Sequence, residues 1–133
     1  MFLVRDFLAM LRDLRREAPH VDRWGAALNL PQIFGGLFYI TTRQGQLILA
    51  ANLVTLVIAS QIHKRRPFSR LAGICHAIWI PLLPYLVWTL WTTPANTAFW
   101  YWLLYVAATM AACLVLDARE VHRYLTTDDK TYA

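Results

Sequence analysis

The chain has little charge, little glycine and almost no cysteine. Only 16% of its 133 residues are Asp, Glu, Lys or Arg, against about 25% in a soluble domain. That scarcity excludes an ordinary water-facing surface over much of the chain. The two cysteines, Cys75 and Cys113, both fall inside apolar runs, which argues against a disulfide framework. No Cys-x-x-Cys, His-x-x-x-His, Gly-rich phosphate loop, nucleophile elbow or Ser/His/Asp set occurs. No catalytic residue is assigned, and the chain reads as non-enzymatic. No Asn-Gly or Asp-Gly turn separates the apolar runs, which argues against hairpins and a β fold.

What is present is apolar sequence in long blocks. The hydrophobic fraction is 58% and the mean hydropathy +0.38. Four blocks cover residues 24–41, 45–62, 71–91 and 97–116. A helix that crosses a bilayer needs about 20 residues, within a range of about 17–25. The last three blocks meet this readily. The first is weakened by Asn29, Pro31, Gln32 and the Gly35–Gly36 pair. Connections at 42–44, 63–70 and 92–96 are short, which makes sequence neighbours pack antiparallel. The expected fold is an all-α membrane protein: a four-transmembrane-helix up-down bundle forming a single membrane domain over 1–133. Residues 117–133 are expected to form a cytoplasmic helical tail that frays after Leu125.

Residues 1–18 alternate differently. Leu3, Val4, Phe7, Leu8, Leu11 and Leu14 recur at helical spacing, with Arg5, Asp6, Arg12, Asp13, Arg15, Arg16 and Glu17 on the other side. Charges interrupt the apolar residues and no basic region precedes them, so a cleavable signal peptide fits poorly. The pattern predicts an N-terminal interfacial amphipathic helix, lying on lipid or packed on the protein's own cytoplasmic face. Pro19 ends it.

The net charge is +5, but the basic residues flank the apolar runs and no recognition motif accompanies them, so no nucleic-acid partner is expected. Their placement is a topology signal. With four spans and the 63–70 loop inside, twelve Lys and Arg are cytoplasmic and only Arg43 is outside. If residues 24–41 do not cross, the split becomes 7 to 6. The positive-inside rule prefers the first arrangement, with both termini cytoplasmic. Aromatic residues agree: Phe38, Tyr39, Trp88, Trp91, Phe99, Trp100, Tyr101, Trp102 and Tyr105 gather at the outer interface. Eleven of the thirteen basic residues are Arg, a bias common in GC-rich bacteria, so the expected location is a bacterial inner membrane.

Polar groups at membrane depth are costly and tend to be functional. Asn29, Gln32, Asn52 and His76 are the candidate binding residues. Lys64, Arg65, Arg66 and Arg70 are the candidate lipid or partner contacts, an inner-face role suited to anionic headgroups. His76, Cys75 or Cys113, and Asp117 fall at one predicted depth, with donor types that suit zinc or copper. Cys75 and His76 are adjacent, though, and point about 100° apart on a helix. No metal and no cofactor is therefore expected. Only His76, of four histidines, lies inside a span, which argues against bis-histidine haem. Pro81 and Pro84 leave carbonyls near residues 77 and 80 without their usual donors. Small-residue stripes, Ala51–Thr55–Ala59 and Ala107–Ala108–Ala111–Ala112, suit close helix packing or a subunit contact.

Two functional readings follow. One is a non-enzymatic accessory, assembly or interaction subunit, with membrane lipids and a protein partner or second copy as partners. The other is a small oligomeric transporter or channel with a polar path near Asn29, Gln32, Asn52 and His76. No carboxylate lies in the middle of a span, which weighs against proton coupling.

Overall fold

A computed structural model describes all 133 residues. The chain is all-α, with six helices: α1 (Phe2–Glu17), α2 (Pro19–Phe38), α3 (Arg43–Arg65), a 3-10 helix (Arg70–His76), α4 (Trp79–Thr92) and α5 (Ala98–Thr126). Two of them, α3 and α5, are long and apolar enough to cross a membrane. The 3-10 helix and α4 pass the same test as a pair, bent by 48° at the break between them. At 1.5 Å per residue α3 is about 35 Å long and α5 about 44 Å. The hydrocarbon layer of a bilayer is about 30 Å thick, so α5 is longer than one crossing requires.

Local chemistry explains most boundaries. Thr42 accepts a hydrogen bond from the Gly45 amide at the start of α3, and Thr97 does the same for Trp100 at the start of α5. Ser69 accepts from Leu71 and opens the 3-10 helix, the cap its position predicts. Ala18 breaks α1 from α2, and Pro19 occupies the first turn of α2, where a missing N–H costs nothing. The helix that carries the first apolar block thus starts at Pro19, ahead of Trp24, and ends at Phe38.

Between α2 and α5 the packing is set by a proline. Pro31 sits inside α2 and has no N–H for the carbonyl of Ala27. The Tyr105 hydroxyl of α5 donates to that carbonyl at 2.7 Å. One turn along, the Trp102 indole donates to the Pro31 carbonyl at 2.9 Å. Gly35 makes room for that ring: a Cβ there would lie 1.9 Å from Trp102 Nε1. The Ala77 carbonyl that Pro81 deprives is instead taken by the Ile80 amide at 3.1 Å, in a tight turn.

The apolar core joins Leu28 of α2, Ile48 and Ala51 of α3, Trp79 and Leu86 of α4, and Leu103, Val106, Ala107, Met110 and Cys113 of α5. Ala51 and Thr55 are buried, so the α3 stripe serves packing inside the molecule. The α5 alanines divide: Ala107 is buried, whereas Ala108 and Ala112 are exposed. At the end opposite the basic loop, Tyr39 meets Phe99 at 4.9 Å and Trp102 at 5.1 Å between ring centroids, part of the aromatic girdle.

The first helix docks on the protein through one face and bares another. Met10, Leu14 and Ala18 form a second small core with Phe7, Val21, Ala59, Phe68 and Tyr132. Val4 and Leu8 remain exposed on the adjoining face.

The C-terminal tail departs from the fraying expected of it. Residues after Thr126 turn back against the 63–70 loop. The Arg70 amide donates to the Lys130 carbonyl at 2.9 Å, and the Tyr132 amide to the Phe68 carbonyl at 3.0 Å. Asp129 and Tyr132, too sparse to show a period, find partners on that loop, Asp129 with Arg70 59 residues away in sequence.

Candidate functional site

Two polar clusters lie among the apolar helices, and they divide the four candidate binding residues. The first is a seam between α2 and α3. The Asn52 amide nitrogen donates to Asn29 Oδ1 at 2.7 Å and to Gln32 Oε1 at 3.0 Å. Helical spacing brings this about: Asn29 and Gln32 are three apart on α2 and share a face toward α3. Asn29 also donates to the Gly25 carbonyl at 2.8 Å. Gln32 and Asn52 have no exposed surface. Gln32 Nε2, Asn52 Oδ1 and the Thr55 hydroxyl find no protein partner, so the seam joins the helices while leaving polar capacity over.

The second cluster takes His76 away from that seam. His76 ends the 3-10 helix, and its Nδ1 lies 2.6 Å from Asp117 Oδ2 on α5. Cys113, one turn earlier on α5, places Sγ 3.6 Å from His76 Nδ1 and 3.5 Å from Asp117 Oδ2. The three donor atoms lie within 4.8 Å of one another. The His76 ring stacks on Trp79, 4.1 Å between centroids. Gly73 allows the approach: a Cβ there would meet the Asp117 Cβ at 3.0 Å and its Cα at 3.2 Å. Cys113 is buried, and His76 and Asp117 are largely covered, with side chains 15% and 18% exposed. Cys75 is buried nearby in sequence but does not join the set.

Where the spacing argument expected a 100° separation to scatter such ligands, it holds only for the Cys75–His76 pair. Cys113 and Asp117, four apart on one face of α5, supply the other two donors. Their i, i+4 spacing was the signal in the sequence that marked this site.

The basic loop is mostly occupied. Lys64 Nζ lies 3.0 Å from Asp6 of α1. Asp6 also accepts from Gln61 at 3.2 Å. These hydrogen bonds, Lys64 first, hold the Asp6 carboxyl below its usual range. His63 Nε2 lies 3.1 Å from Asp13. Arg66 donates to the Tyr124 hydroxyl. Arg70 bonds Glu120 and reaches Asp129 at 2.8 Å. Arg65 is exposed. Glu120 and Arg123, placed i, i+3 on α5, do not pair with each other: Glu120 turns to Arg70 and Arg123 to Asp129, at 3.3 Å. A partly covered arginine bonded by two carboxylates outcompetes a solvated pair worth a few tenths of a kcal/mol.

Two clefts open on this same side. One of about 430 Å³ is lined by Asp13, Arg16, Glu17, Phe68 and Ala133. The other, about 130 Å³, lies beside Asp6, Met10, His63 and Lys64. Neither is lined by Asn29, Gln32, Asn52 or His76. Comparison with known protein families, characterised proteins and solved structures finds no match, so the reading of this chain rests on its own geometry.

Proposed function

We propose that this protein is a four-span accessory or assembly subunit of a bacterial inner membrane, holding a partner or lipid without catalysing a reaction. In this reading α2, α3, the 3-10 helix with α4, and α5 each cross the bilayer, and both termini are cytoplasmic. Helix α2 is not apolar enough to stand with the other three by composition, and its inclusion is part of the proposal: its 20 residues give about 30 Å, the thickness of the hydrocarbon layer, though its N-terminal end carries Asp22 and Arg23. Its outward face supports the inclusion, since Leu30, Phe34 and Leu37 are exposed there.

The observation that carries the functional reading is the closure of the polar seam. Asn29, Gln32 and Asn52 bond one another between two packed helices, and His76 is engaged elsewhere, with Asp117. A conduction path would need these four groups to line one opening. Closed as it is, the seam is an interhelical fastening of the kind that membrane bundles use in place of hydrophobic burial. What the bundle presents outward is apolar: Leu53, Val54, Val57 and Ile58 on α3, and Leu104, Ala108 and Ala112 on α5. Ala108 and Ala112, four apart, give a shallow strip that suits a partner helix.

The test has two parts. Reporter fusions after Arg43 and after Asn96 should both read as periplasmic; a cytoplasmic signal after Arg43 removes the first span. Gentle extraction and native mass spectrometry should then yield a heteromeric complex. A homo-oligomer of this chain alone would move the reading to an oligomeric transporter.

A further inference from the structure

We propose that His76, Cys113 and Asp117 form a binding site for a divalent transition metal of the zinc class at the cytoplasmic end of the bundle. This goes beyond an accessory role and does not depend on it.

The argument starts from donor type. An imidazole nitrogen, a thiol sulfur and a carboxylate oxygen are the three groups that zinc takes from proteins. They also match zinc better than calcium or magnesium, which take oxygen alone. Bond lengths of about 2.0–2.1 Å to nitrogen, about 2.0–2.2 Å to oxygen and about 2.3 Å to sulfur fix the separations that tetrahedral ligands must have. Those lengths place nitrogen and sulfur about 3.5 Å apart, sulfur and oxygen about 3.6 Å, and nitrogen and oxygen about 3.4 Å. In this protein Sγ lies 3.6 Å from His76 Nδ1 and 3.5 Å from Asp117 Oδ2. Two of the three edges thus already have the spacing of a coordinated ion. The third, His76 Nδ1 to Asp117 Oδ2, is a hydrogen bond at 2.6 Å. For tetrahedral ligation it has to open by about 0.8 Å.

Charge and support point the same way. An isolated ion is expensive in a low-dielectric setting, and a compensated one is not. On binding, Cys113 loses its thiol proton to solvent and Asp117 is ionised. The two negative ligands then balance the two positive charges of the metal. The ligands stand on firm supports: Cys113 and Asp117 on one face of α5, and His76 held by its stack on Trp79. Three protein ligands leave a fourth position, which in zinc sites takes water or an outside ligand. Cys75, buried on the same 3-10 helix, stays outside the set and provides an internal control.

The experiment uses the full chain purified in mild detergent, treated with a chelator, then loaded with zinc chloride or cobalt(II) chloride. After desalting, the protein should retain one equivalent of zinc, and cobalt should give thiolate-to-metal charge transfer in the near ultraviolet. Cys113→Ser, His76→Gln and Asp117→Asn should each weaken zinc binding by more than about 100-fold, since even outer-shell partners of such ligands cost 10–100-fold. Cys113→Ser should also abolish the charge-transfer band. Cys75→Ser should leave stoichiometry and band intact. Far-ultraviolet dichroism and gel filtration identify variants that have lost the fold; Cys113→Ser, nearly isosteric, is the variant on which the conclusion turns. Failure to retain zinc, persistence of the band in Cys113→Ser, or its loss in Cys75→Ser would each overturn the assignment.

Discussion

Replacing Tyr105 by Phe removes a single hydroxyl and keeps the ring. That hydroxyl donates to the Ala27 carbonyl, whose i+4 amide partner is missing because residue 31 is proline. In a bilayer a carbonyl so deprived has no water to turn to. Interhelical side-chain hydrogen bonds in membrane proteins average about 0.6 kcal/mol and reach about 1.7. Tyr105→Phe should therefore cost about 0.6–1.7 kcal/mol, an unfolding equilibrium shifted about 3- to 18-fold. The sharper measurement is a double-mutant cycle with Pro31→Ala. Alanine restores the N–H that closes the ring onto Ala27, and the tyrosine then has nothing left to satisfy. In the Pro31→Ala background Tyr105→Phe should cost close to nothing. Stability can be followed through the six tryptophans as a denaturing detergent is titrated into mixed micelles. Equal costs in both backgrounds would refute the claim that Tyr105 compensates for the proline.

Three further outcomes are expected. Gly35→Ala should destabilise by about 1–3 kcal/mol, the usual cost of overpacking, because its Cβ collides with the Trp102 indole; at an open helical site the same change stabilises by about 1 kcal/mol, so the sign measured in the same titration decides the matter. Asn52→Leu should cost about 1 kcal/mol, two average interhelical bonds partly offset by removal of an unpartnered carbonyl; a loss beyond about 3 kcal/mol would mean that the seam is more than a fastening. Docking of α1 should respond to acid in one direction: Asp6 has a folded value below its ordinary 3.8, so its contribution is complete above that value and disappears only as pH falls through the lower one. Hydrogen exchange of α1 should stay slow from neutral pH to about 4, then speed up, and Asp6→Asn should remove that dependence.

How much of this was legible in advance depends on the range of the interaction concerned. Blocks of apolar residues are a local signal, and helices form over all four of them, although the first begins earlier, at Pro19, and the third is divided at residues 77–78. The break at 77–78 is not readable as such: Pro81 and Pro84 predict a kink, but whether the first turns wind as a 3-10 helix depends on packing against α5. Asn29 and Gln32 share a face by their spacing alone, yet the sequence does not say which helix they face. Asn52 answers from 20 residues away. His76 looked like a companion to that group because all are polar and within spans. Its partner is set by Gly73, whose lack of a side chain draws the 3-10 helix against Asp117. The docking of the tail is hidden from the sequence for a related reason. Its partners, Phe68 and Arg70, are distant in sequence, and a short polar segment gives no periodic sign that it will dock.

The pairing of the basic loop has a consequence in time. A translocation machinery reading the chain as it emerges meets Arg66 and Arg70 some fifty residues before it meets Glu120, Tyr124 and Asp129. During that interval Arg66 and Arg70 lack these partners, and in the proposed four-span arrangement they are free to help set the orientation of the neighbouring helices. Once the last helix and tail are made, the same cations are taken up by their late partners. In that arrangement two of the loop's arginines serve the nascent chain as a signpost and the finished protein as a latch.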